Sequence, residues 1–404
     1  MYSQIESSYK SVSFLAFSVL VFILSPILST QETAVPSMLY VVSIFLPTFF
    51  YVILVKNVLI NKVHIYAVVL WVMGIFSSIV SPYGTLDIRL IKYLILVIYF
   101  ICVTKTAFSD KDIMFVAKWY IYTSIIVAIL IIASYIFGYA HVESDYYIGR
   151  YSIGITGLYK NPNYLTSFIN VAFFFLGYML LFCRVSPFNK LVYSCLMVLF
   201  IIAFYLTGTR ASLLTAGFII AVMLIRYFRE KKRFSLILIF VLFIISLLFI
   251  FKNEINELLY LFIGNRDMLS DESRTLSWAY AFSNIFERPV WGCGLFAWEN
   301  LGDGSYIKYL HNVFLELFLN QGIIGVVLLL LLLFSGYSKT RKQDRFFILL
   351  FMFVSGFPLF FQNGLIDVNF MRFIILNRII FMYSSFSEKG IVGLIGDKKA
   401  DIEY

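Results

Sequence analysis

The chain is a series of long, uninterrupted apolar runs separated by short polar segments. About twelve of these runs approach the roughly 20 residues needed to cross a bilayer. They cover residues 12–29, 38–55, 63–80, 88–104, 114–137, 163–182, 190–206, 210–226, 234–251, 312–334, 346–363 and 366–384. Continuous apolar runs indicate helices, because in lipid every backbone N–H and C=O must find its partner within the same segment. The pattern therefore predicts an all-α fold, a polytopic membrane bundle of about 12 transmembrane helices.

One polar segment is far longer than the others. It covers residues 252–311, between the ninth and tenth runs, and it is rich in aromatic side chains. Because most connections are short, a segment of this length predicts a separate extramembrane part with a function of its own. We expect transmembrane helices 1–9 in residues 1–251, a large helical loop in 252–311, and helices 10–12 with a tail in 312–404.

The long segment contains one predicted amphipathic helix. It is expected from Asp271 to Phe286, because Pro289 limits its extent. One of its faces carries residues three or four positions apart, namely Arg274, Trp278, Phe282 and Ile285. We expect this face to lie on the membrane domain, with Arg274 over the opening of the bundle and Trp278 beside a sugar ligand. The alternative is an ordinary interfacial helix whose arginine is solvated.

The composition agrees with a membrane protein. Hydrophobic residues make up 61% of the 404 residues and charged residues 14%. The net charge of +9 does not indicate nucleic-acid binding, because the basic residues occupy short loops and not one continuous face. They are concentrated in alternate loops: Lys56 and Lys62, Lys105 and Lys111, Arg184 and Lys190, the cluster from Arg226 to Arg233, and the cluster from Lys339 to Arg345.

This alternation predicts the orientation of the chain. The side with the basic loops is cytoplasmic, so both termini are expected in the cytoplasm and residues 252–311 on the outer side. Several cations nevertheless fall near the outer ends of helices: Arg89, Lys92, Arg150, Lys160, Arg210, Arg274 and Arg288. They either extend to the interface as ordinary anchors or bind an anionic ligand. Arg89 and Arg150 are therefore candidate substrate-binding residues.

Cysteine and histidine are too sparse to predict a metal site. The four cysteines form no close pair, and the three histidines are His64, His141 and His311. We therefore expect no metal, no cofactor and no disulfide framework. The chain also contains no P-loop, so it has no visible means of using ATP.

Two predicted helix starts on the outer side carry polar residues. Gly208 permits a sharp turn and Thr209 is a candidate cap, which places Arg210 in the first turn of the next helix. A cation there opposes the helix dipole unless an anion also binds, so Arg210 is a candidate phosphate ligand. Pro162 and Asn163 begin another helix, and Asn163 is either a cap or a substrate contact.

His311 and Asn312 stand at the start of the tenth apolar run. Asn312 is the predicted N-cap, and His311 lies just outside the helix. A histidine at this boundary is suited to take a proton from a hydroxyl, and nearby cations favour the neutral imidazole that a base needs. The alternative is a histidine bonded to a loop carbonyl. Glu316, one turn further in, needs a partner such as an outer arginine, which it would hold in place.

Together these motifs resemble the bacterial O-antigen polymerase and O-antigen ligase superfamily. The segment from Thr207 to Leu214 is similar to its arginine motif. Glu272 through Asn312, with Trp278, Pro289, Gly292 and Gly294, is similar to its large periplasmic loop, and Gln321 to Gly325 to its following helix. The resemblance covers residues 150–335. Thr209-Arg210-Ala211 departs from the Ser-Arg-Gly form frequent among ligases, which favours a polymerase.

The resemblance implies a metal-independent glycosyltransferase of hexosyltransferase type at the periplasmic face of the bacterial cytoplasmic membrane. Its substrate would be an undecaprenyl-pyrophosphate-linked oligosaccharide, and its environment would include membrane lipids. Arg210 and Arg274 would bind the diphosphate, and His311 would deprotonate the acceptor hydroxyl, which attacks with inversion. Asn163, Asn312 and Glu316 would complete the substrate site. The family likeness also implies a partner protein that regulates chain length.

Three functions remain open at this point. The first is a repeat-unit polymerase that extends O-antigen or a similar surface polysaccharide. The second is an O-antigen ligase, which shares the donor, the leaving group and the base but transfers finished polysaccharide to the lipid A core. The third is a transporter or flippase for lipid-linked sugars, which predicts charges near the bilayer midplane and two related halves. The observed charges fall near the outer ends, so a transporter is disfavoured.

Overall fold

Helices account for all the regular structure in the part of the chain that is described. The structure is a computed structural model, and it describes residues 13–28, 48–49, 61–86, 89–104, 108–138, 162–183, 185–230, 268–301, 310, 312–361, 368–387, 390–391 and 394. Its helices are α1 (Phe14–Leu28), α2 (Lys62–Val80), α3 (Arg89–Thr104), α4 (Asp110–Phe137), α5 (Pro162–Phe182), α6 (Pro187–Leu206), α7 (Arg210–Glu230), α8 (Met268–Glu287), α9 (Ala297–Leu301), α10 (Val313–Phe334), α11 (Arg345–Gly356) and α12 (Val368–Phe386). The expected all-α fold is confirmed.

Six segments within these ranges are long and apolar enough to cross a membrane. They are Lys62–Val80, Asp110–Phe137, Pro162–Phe182, Pro187–Leu206, Ala211–Glu230 and Val313–Lys339. The segments Phe14–Leu24 and Arg345–Phe360 are apolar but shorter. This set is consistent with a multi-pass membrane protein, and a total of about 12 spans stays a prediction. The expected runs 38–55 and 234–251 and the beginning of the long loop fall outside the described residues, apart from residues 48–49.

The chain forms two compact units. The first comprises Met1–Tyr122 and Ser273–Leu394, and the second comprises Thr123–Glu272 and Ile395–Tyr404. In the first unit α10 packs along α2, while α12 contacts α1, α3, α10 and α11. In the second unit α5 packs against both α6 and α7. The long loop therefore returns, from Ser273 onward, to the unit that contains the first helices of the chain.

Helix α10 is broken near its middle, at Gly322, where φ is 62° and ψ is −162°. The residues just after α8 pack against this break, and we call residues 288–295 the docking turn. Three backbone hydrogen bonds join the two segments: Cys293 N to Leu319 O (2.7 Å), Gly294 N to Asn320 O (2.9 Å), and Ile323 N to Pro289 O (2.8 Å). The docking turn thus supplies partners for peptide groups that a continuous helix would pair internally.

Helix α2 fixes the docking turn from the other side. The hydroxyl of Ser77 lies 2.6 Å from the carbonyl oxygen of Trp291 and 2.7 Å from that of Asn320. The hydroxyl of Ser78 accepts a hydrogen bond from the backbone N–H of Leu295 at 2.8 Å. Because these contacts involve backbone groups of the loop, they define its position whatever side chains the loop carries.

Two glycines make this close packing possible. Gly292 has φ 76°, and a Cβ at this position would lie 2.6 Å from backbone atoms of Asn320 and Gln321. A Cβ at Gly322 would overlap the carbonyl oxygen of Val290. Both glycines therefore satisfy two demands at once, a left-handed conformation and a backbone-to-backbone contact.

Candidate functional site

Helix α8 is present where the sequence predicts a helix in the long loop, and it begins three residues earlier, at Met268. Its inner face belongs to a buried apolar cluster that joins α8, the docking turn, α9 and the start of α10. The cluster consists of Ala281, Ile285, Cys293, Ala297, Leu301, Leu310, Leu315 and Leu319, with Tyr83, Trp278, Trp298 and Phe318 packed around it. The described residues of the loop from α8 to Leu310 therefore share a core with the start of α10.

The expected inner face of α8 is partly wrong. Ile285 is buried and Trp278 packs on the cluster, but Phe282 is 45% exposed and Ala281 is buried in its place. The reason is geometric. Each step of four residues advances about 40° beyond a full turn, so a series of such steps drifts off the face. Phe282 lies past the edge of the buried face for this reason.

The Trp278 side chain ties α8 to the residue before His311. Its indole Nε1 donates a hydrogen bond to the carbonyl oxygen of Leu310 at 2.8 Å, and Leu310 is buried in the cluster. Arg274 is one helical turn earlier in α8, so the two Cα atoms lie about 6 Å apart along the helix axis. The hydrogen bond thus ties the helix that carries Arg274 to the residue two positions before the N-cap of α10. Trp278 is an anchor in this arrangement, whether or not it also contacts a sugar.

Asn312 fixes the chain on the other side of His311. Its side-chain oxygen accepts hydrogen bonds from Phe314 N at 3.1 Å and Leu315 N at 3.0 Å, so the predicted N-cap is confirmed. Glu316, one turn into α10, is buried, and its N–H donates to the Asn312 carbonyl at 2.9 Å. Leu310 and Asn312, the sequence neighbours of His311, are therefore both anchored by hydrogen bonds.

The guanidinium of Arg89 is bound to the loop. It forms a bidentate ion pair with Glu299, in which Nη2 lies 2.9 Å from Oε2, and it lies 3.6 Å from the centre of the Phe296 ring. Phe296 has φ 60°, a conformation that L-residues rarely adopt. Arg89 thus connects the start of α3 to α9 and covers a strained residue. Binding of substrate by Arg89 stays a prediction.

Arg288 and Asn300 attach the same part of the loop to the end of α2. The amide of Asn300 donates to the carbonyl oxygen of Tyr83 at 2.7 Å, and the Arg288 guanidinium lies 6.0 Å from the centre of the Tyr83 ring. Arg288 Nη1 also lies 3.4 Å from the Val80 carbonyl oxygen. Arg288, like Arg89, therefore has an evident structural role.

The docking turn carries a thiol that burial keeps neutral. Cys293 is buried, its Sγ lies 3.7 Å from the Asn284 carbonyl oxygen, and burial raises the pKa of this thiol above its usual value. A thiol with a raised pKa is a poor nucleophile at neutral pH. Among the described residues, no group of three or more His, Cys, Asp and Glu side chains could hold a metal ion.

Arg210 is the first residue of α7, in the second unit. The turn before it matches the expectation: Gly208 has φ 59°, and the Thr209 carbonyl accepts hydrogen bonds from Ser212 N at 3.1 Å and Leu213 N at 3.2 Å. The Thr207 and Thr209 hydroxyls lie 3.0 Å apart. The backbone at Arg210 is thus fixed by its neighbours.

Helices α5 and α7 share an interface that is polar towards their first residues. On α5 the polar side chains are Asn163, Thr166, Ser167 and Asn170, and on α7 they are Ser212 and Thr215. All except Asn163 are buried. We call these six residues the polar stripe. Further along the same helix faces, a Cβ at Gly177 would lie 3.3 Å from Met223 Sδ, which shows that these faces meet.

Asn170 is a member of the polar stripe that the sequence analysis did not identify. It is fully buried, and neither of its amide atoms has a hydrogen-bond partner among the described residues. A buried, unsatisfied amide costs free energy, so its presence requires an explanation. The seven-residue spacing from Asn163 places both residues on one helix face. Asn170 nevertheless stands within an apolar run, which predicts only a buried helix.

The structure does not describe every predicted site residue. Arg150 and His311 lie outside the described residues, as do the side chains of Arg210 and Arg274. Asn163 is the second residue of α5, where Pro162 takes the expected first position. Of the predicted site residues, the structure describes Arg89, Trp278, Asn312, Glu316 and the backbone of Arg274 in the first unit, and Asn163 and the backbone of Arg210 in the second.

The comparison with protein families bears on the segment from α6 to α10. Residues 195–330 match the Wzy_C family model, O-antigen ligase. This match is consistent with the O-antigen polymerase and ligase superfamily, and it confirms the resemblance over these residues. The matched segment includes Arg210, α8, the docking turn and the break in α10. No individual curated protein matches the chain.

Proposed function

We propose that this protein is a polymerase of O-antigen or a similar surface polysaccharide. It would act as a metal-independent, inverting glycosyltransferase on an undecaprenyl-pyrophosphate-linked donor. The family match supports a polysaccharide-processing enzyme that takes a lipid-linked substrate. The observation that carries the finer proposal is the hydrogen bond from Trp278 to Leu310, because it ties the helix of Arg274 to the residue before His311.

In this proposal His311 is the general base. The acceptor sugar hydroxyl gives its proton to the imidazole as its oxygen attacks the anomeric carbon of the donor. The bond from that carbon to the diphosphate oxygen breaks, and its electron pair leaves with undecaprenyl pyrophosphate. The product is a longer sugar chain with inverted configuration at the new linkage. The activated donor supplies the driving force, so no ATP is consumed.

Arg274 is proposed to bind the diphosphate and to neutralise the charge that grows on it in the transition state. The resemblance assigns the same ligand to Arg210. Arg89, Arg150, Trp278, Asn312 and Glu316 keep their predicted substrate-binding roles as proposals. The polar stripe is proposed to hydrogen-bond to sugar hydroxyls, since Asn163 and Asn170 both offer donors and acceptors.

The cellular arrangement is part of the same proposal. About 12 spans would place both termini in the cytoplasm and the 252–311 loop in the periplasm, where lipid-linked repeat units are polymerised. A chain-length regulator would be a partner protein. The basic loops on the opposite side from the site support this orientation.

The second candidate is an O-antigen ligase, which the description of the matching family favours. Donor, leaving group and base would be unchanged, and only the acceptor would differ. The experiment is to incubate the purified protein with lipid-linked repeat units, alone or with lipid A core. Longer lipid-linked products without lipid A core support the polymerase, whereas products only on lipid A core identify the ligase.

Two variants test whether the chemistry belongs to the proposed residues. His311→Ala and Arg210→Lys are expected to abolish product at normal protein level, since one removes the base and the other the bidentate fork. Arg229→Lys, at the exposed end of the same helix as Arg210, is the matched control and should retain full activity. Activity in the His311→Ala protein would contradict its role as the base.

A further inference from the structure

Two arginines converge on the turn that follows α10. Arg378 of α12 donates from Nη1 to the carbonyl oxygen of Ser335, and Arg345 donates from Nη2 to the carbonyl oxygen of Ser338 at 3.2 Å. The two acceptors are three residues apart in one turn. Unpaired carbonyls at a helix C-terminus attract cations, which explains why guanidinium groups gather here.

Two aromatic rings connect these arginines. The Arg345 guanidinium carbon lies 5.5 Å from the centre of the Tyr337 ring, and that of Arg378 lies 5.8 Å from the centre of the Phe381 ring. The two rings are 6.0 Å apart. We call Arg345 and Arg378 the arginine pair. The rings and the turn hold both groups in one small region.

Each member of the arginine pair has a donor without an acceptor. The Nε atoms of Arg345 and Arg378 are both buried, and neither has a hydrogen-bond partner among the described residues. Arg378 is only 4% exposed, whereas Arg345 is partly exposed and keeps the region open to the outside. Burying an arginine N–H without an acceptor is costly, and a guanidinium fork matches the oxygens of a phosphate.

The neighbouring carboxylate is engaged elsewhere. Asp344 precedes Arg345, but its Oδ2 accepts hydrogen bonds from the Ser384 hydroxyl at 2.6 Å and from Ile391 N at 3.0 Å. These bonds attach the end of α12 and the chain after it to the residue before α11. The Asp344 carboxylate thus forms a structural contact. The Nε–H groups of Arg345 and Arg378 still need an acceptor.

We propose that the arginine pair binds the phosphate of an anionic phospholipid. The apolar span ends at Lys339, so the pair lies at the level where hydrocarbon gives way to lipid headgroups. Arg341 in the same loop adds positive charge. Basic sites between helices on the cytoplasmic side attract anionic lipid headgroups, and a lipid supplies both the phosphate and an acyl chain for the neighbouring rings. This site is separate from the proposed transferase chemistry.

The test uses the full-length protein in neutral detergent after removal of endogenous lipid. Its thermal unfolding midpoint is measured while phosphatidylglycerol, phosphatidylcholine or inorganic phosphate is added. We expect phosphatidylglycerol alone to raise the midpoint, because a ligand that binds the folded state stabilises it. In R345Q/R378Q the half-saturating phosphatidylglycerol concentration should rise at least about tenfold. This factor corresponds to the loss of one charge-assisted hydrogen bond.

A matched control removes the same charge from exposed positions. K339Q/K342Q lies in the same loop, and its half-saturating concentration should change less than about twofold. An equal loss in this control would overturn the proposal in favour of general charge attraction. Equal stabilisation by phosphatidylcholine would also overturn it, and so would equal stabilisation by inorganic phosphate, which would identify a soluble-anion site.

A second variant keeps the test decisive if R345Q/R378Q does not fold. Arg378→Lys retains the buried charge but removes the Nε donor, so it should fold and still weaken phosphatidylglycerol binding several-fold, about 1 kcal/mol of lost contact. Binding as in the unchanged protein would refute the role of the Nε group. No sugar donor enters these measurements, so their outcome is independent of the proposed enzyme activity.

Discussion

The indole N–H of Trp278 and the carbonyl oxygen of Leu310 are joined by a 2.8 Å hydrogen bond across 32 residues of the loop. This bond is the one described contact that links α8 directly to the residue preceding His311. Trp278→Phe retains an aromatic ring but removes the N–H donor and part of the ring volume that packs on the cluster. We expect the proposed transfer rate to fall by about tenfold to a hundredfold, because a small displacement of a catalytic group is costly.

The control for Trp278→Phe is Trp291→Phe, since the Trp291 ring is exposed and packs edge-on against Phe76. Stability of Trp278→Phe should fall by about 1 to 3 kcal/mol, from the lost hydrogen bond and the smaller ring. Thermal unfolding and transfer assays on the same preparations separate the two effects. Unchanged transfer by Trp278→Phe would show that the bond does not position the base.

The pairing of Arg89 with Glu299 leads to a second prediction. If Arg89 acts by holding α9 to α3, Arg89→Gln and Glu299→Gln should reduce transfer to similar extents, and the double variant should be no worse than either one. Direct binding of substrate by Arg89 would make Arg89→Gln clearly worse than Glu299→Gln. A double-mutant cycle of transfer rates decides between the two. The stability coupling should be below about 1 kcal/mol, because both side chains are partly exposed.

The break in α10 predicts a severe effect of a single methyl group. Gly322→Ala would force a Cβ into the Val290 carbonyl and place an alanine at positive φ. We expect a loss of stability of about 3 kcal/mol or more, seen as a lower yield and a lower unfolding midpoint. Gly217→Ala is the control, since no atom lies within 4 Å of the added Cβ. Equal behaviour of the two variants would contradict the docking geometry.

Asn170 offers a test in which stability and activity should move in opposite directions. Asn170→Leu replaces a buried amide, which has no hydrogen-bond partner among the described residues, by an apolar side chain of the same branching, so the unfolding midpoint should rise. If the polar stripe binds sugar hydroxyls, transfer should fall at the same time by about tenfold or more. A more stable protein with unchanged transfer would reduce Asn170 to a packing residue.

The sequence was sufficient for features set by local chemistry. Apolar runs located the described helices, Asn312 was identifiable as a cap, and the turn at Gly208 followed from residue type. Periodicity was less reliable, since it placed Phe282 on the buried face of α8. A spacing pattern fixes a face only to within a few tens of degrees, whereas packing decides which side chains enter the core.

Features that depend on distant residues could not be predicted. Hydropathy describes α10 as one continuous run, so the break at Gly322 left no signal apart from the glycine itself. Arg89 and Glu299 are 210 residues apart in the sequence, and neither local sequence predicts their pairing. The sequence shows that Arg345 and Arg378 are charged, but it does not predict that both bind the turn after α10. Tertiary contacts of this kind require coordinates.

The docking turn also determines which parts of the protein are free to move. Separating the docking turn from α10 would leave peptide groups of Leu319, Asn320 and Ile323 without hydrogen-bond partners inside an apolar protein interior. This loss would cost several kcal/mol. The docking turn is consequently a stationary frame and not a lid. In the proposed polymerase, a growing sugar chain would therefore move past this fixed frame between rounds of transfer.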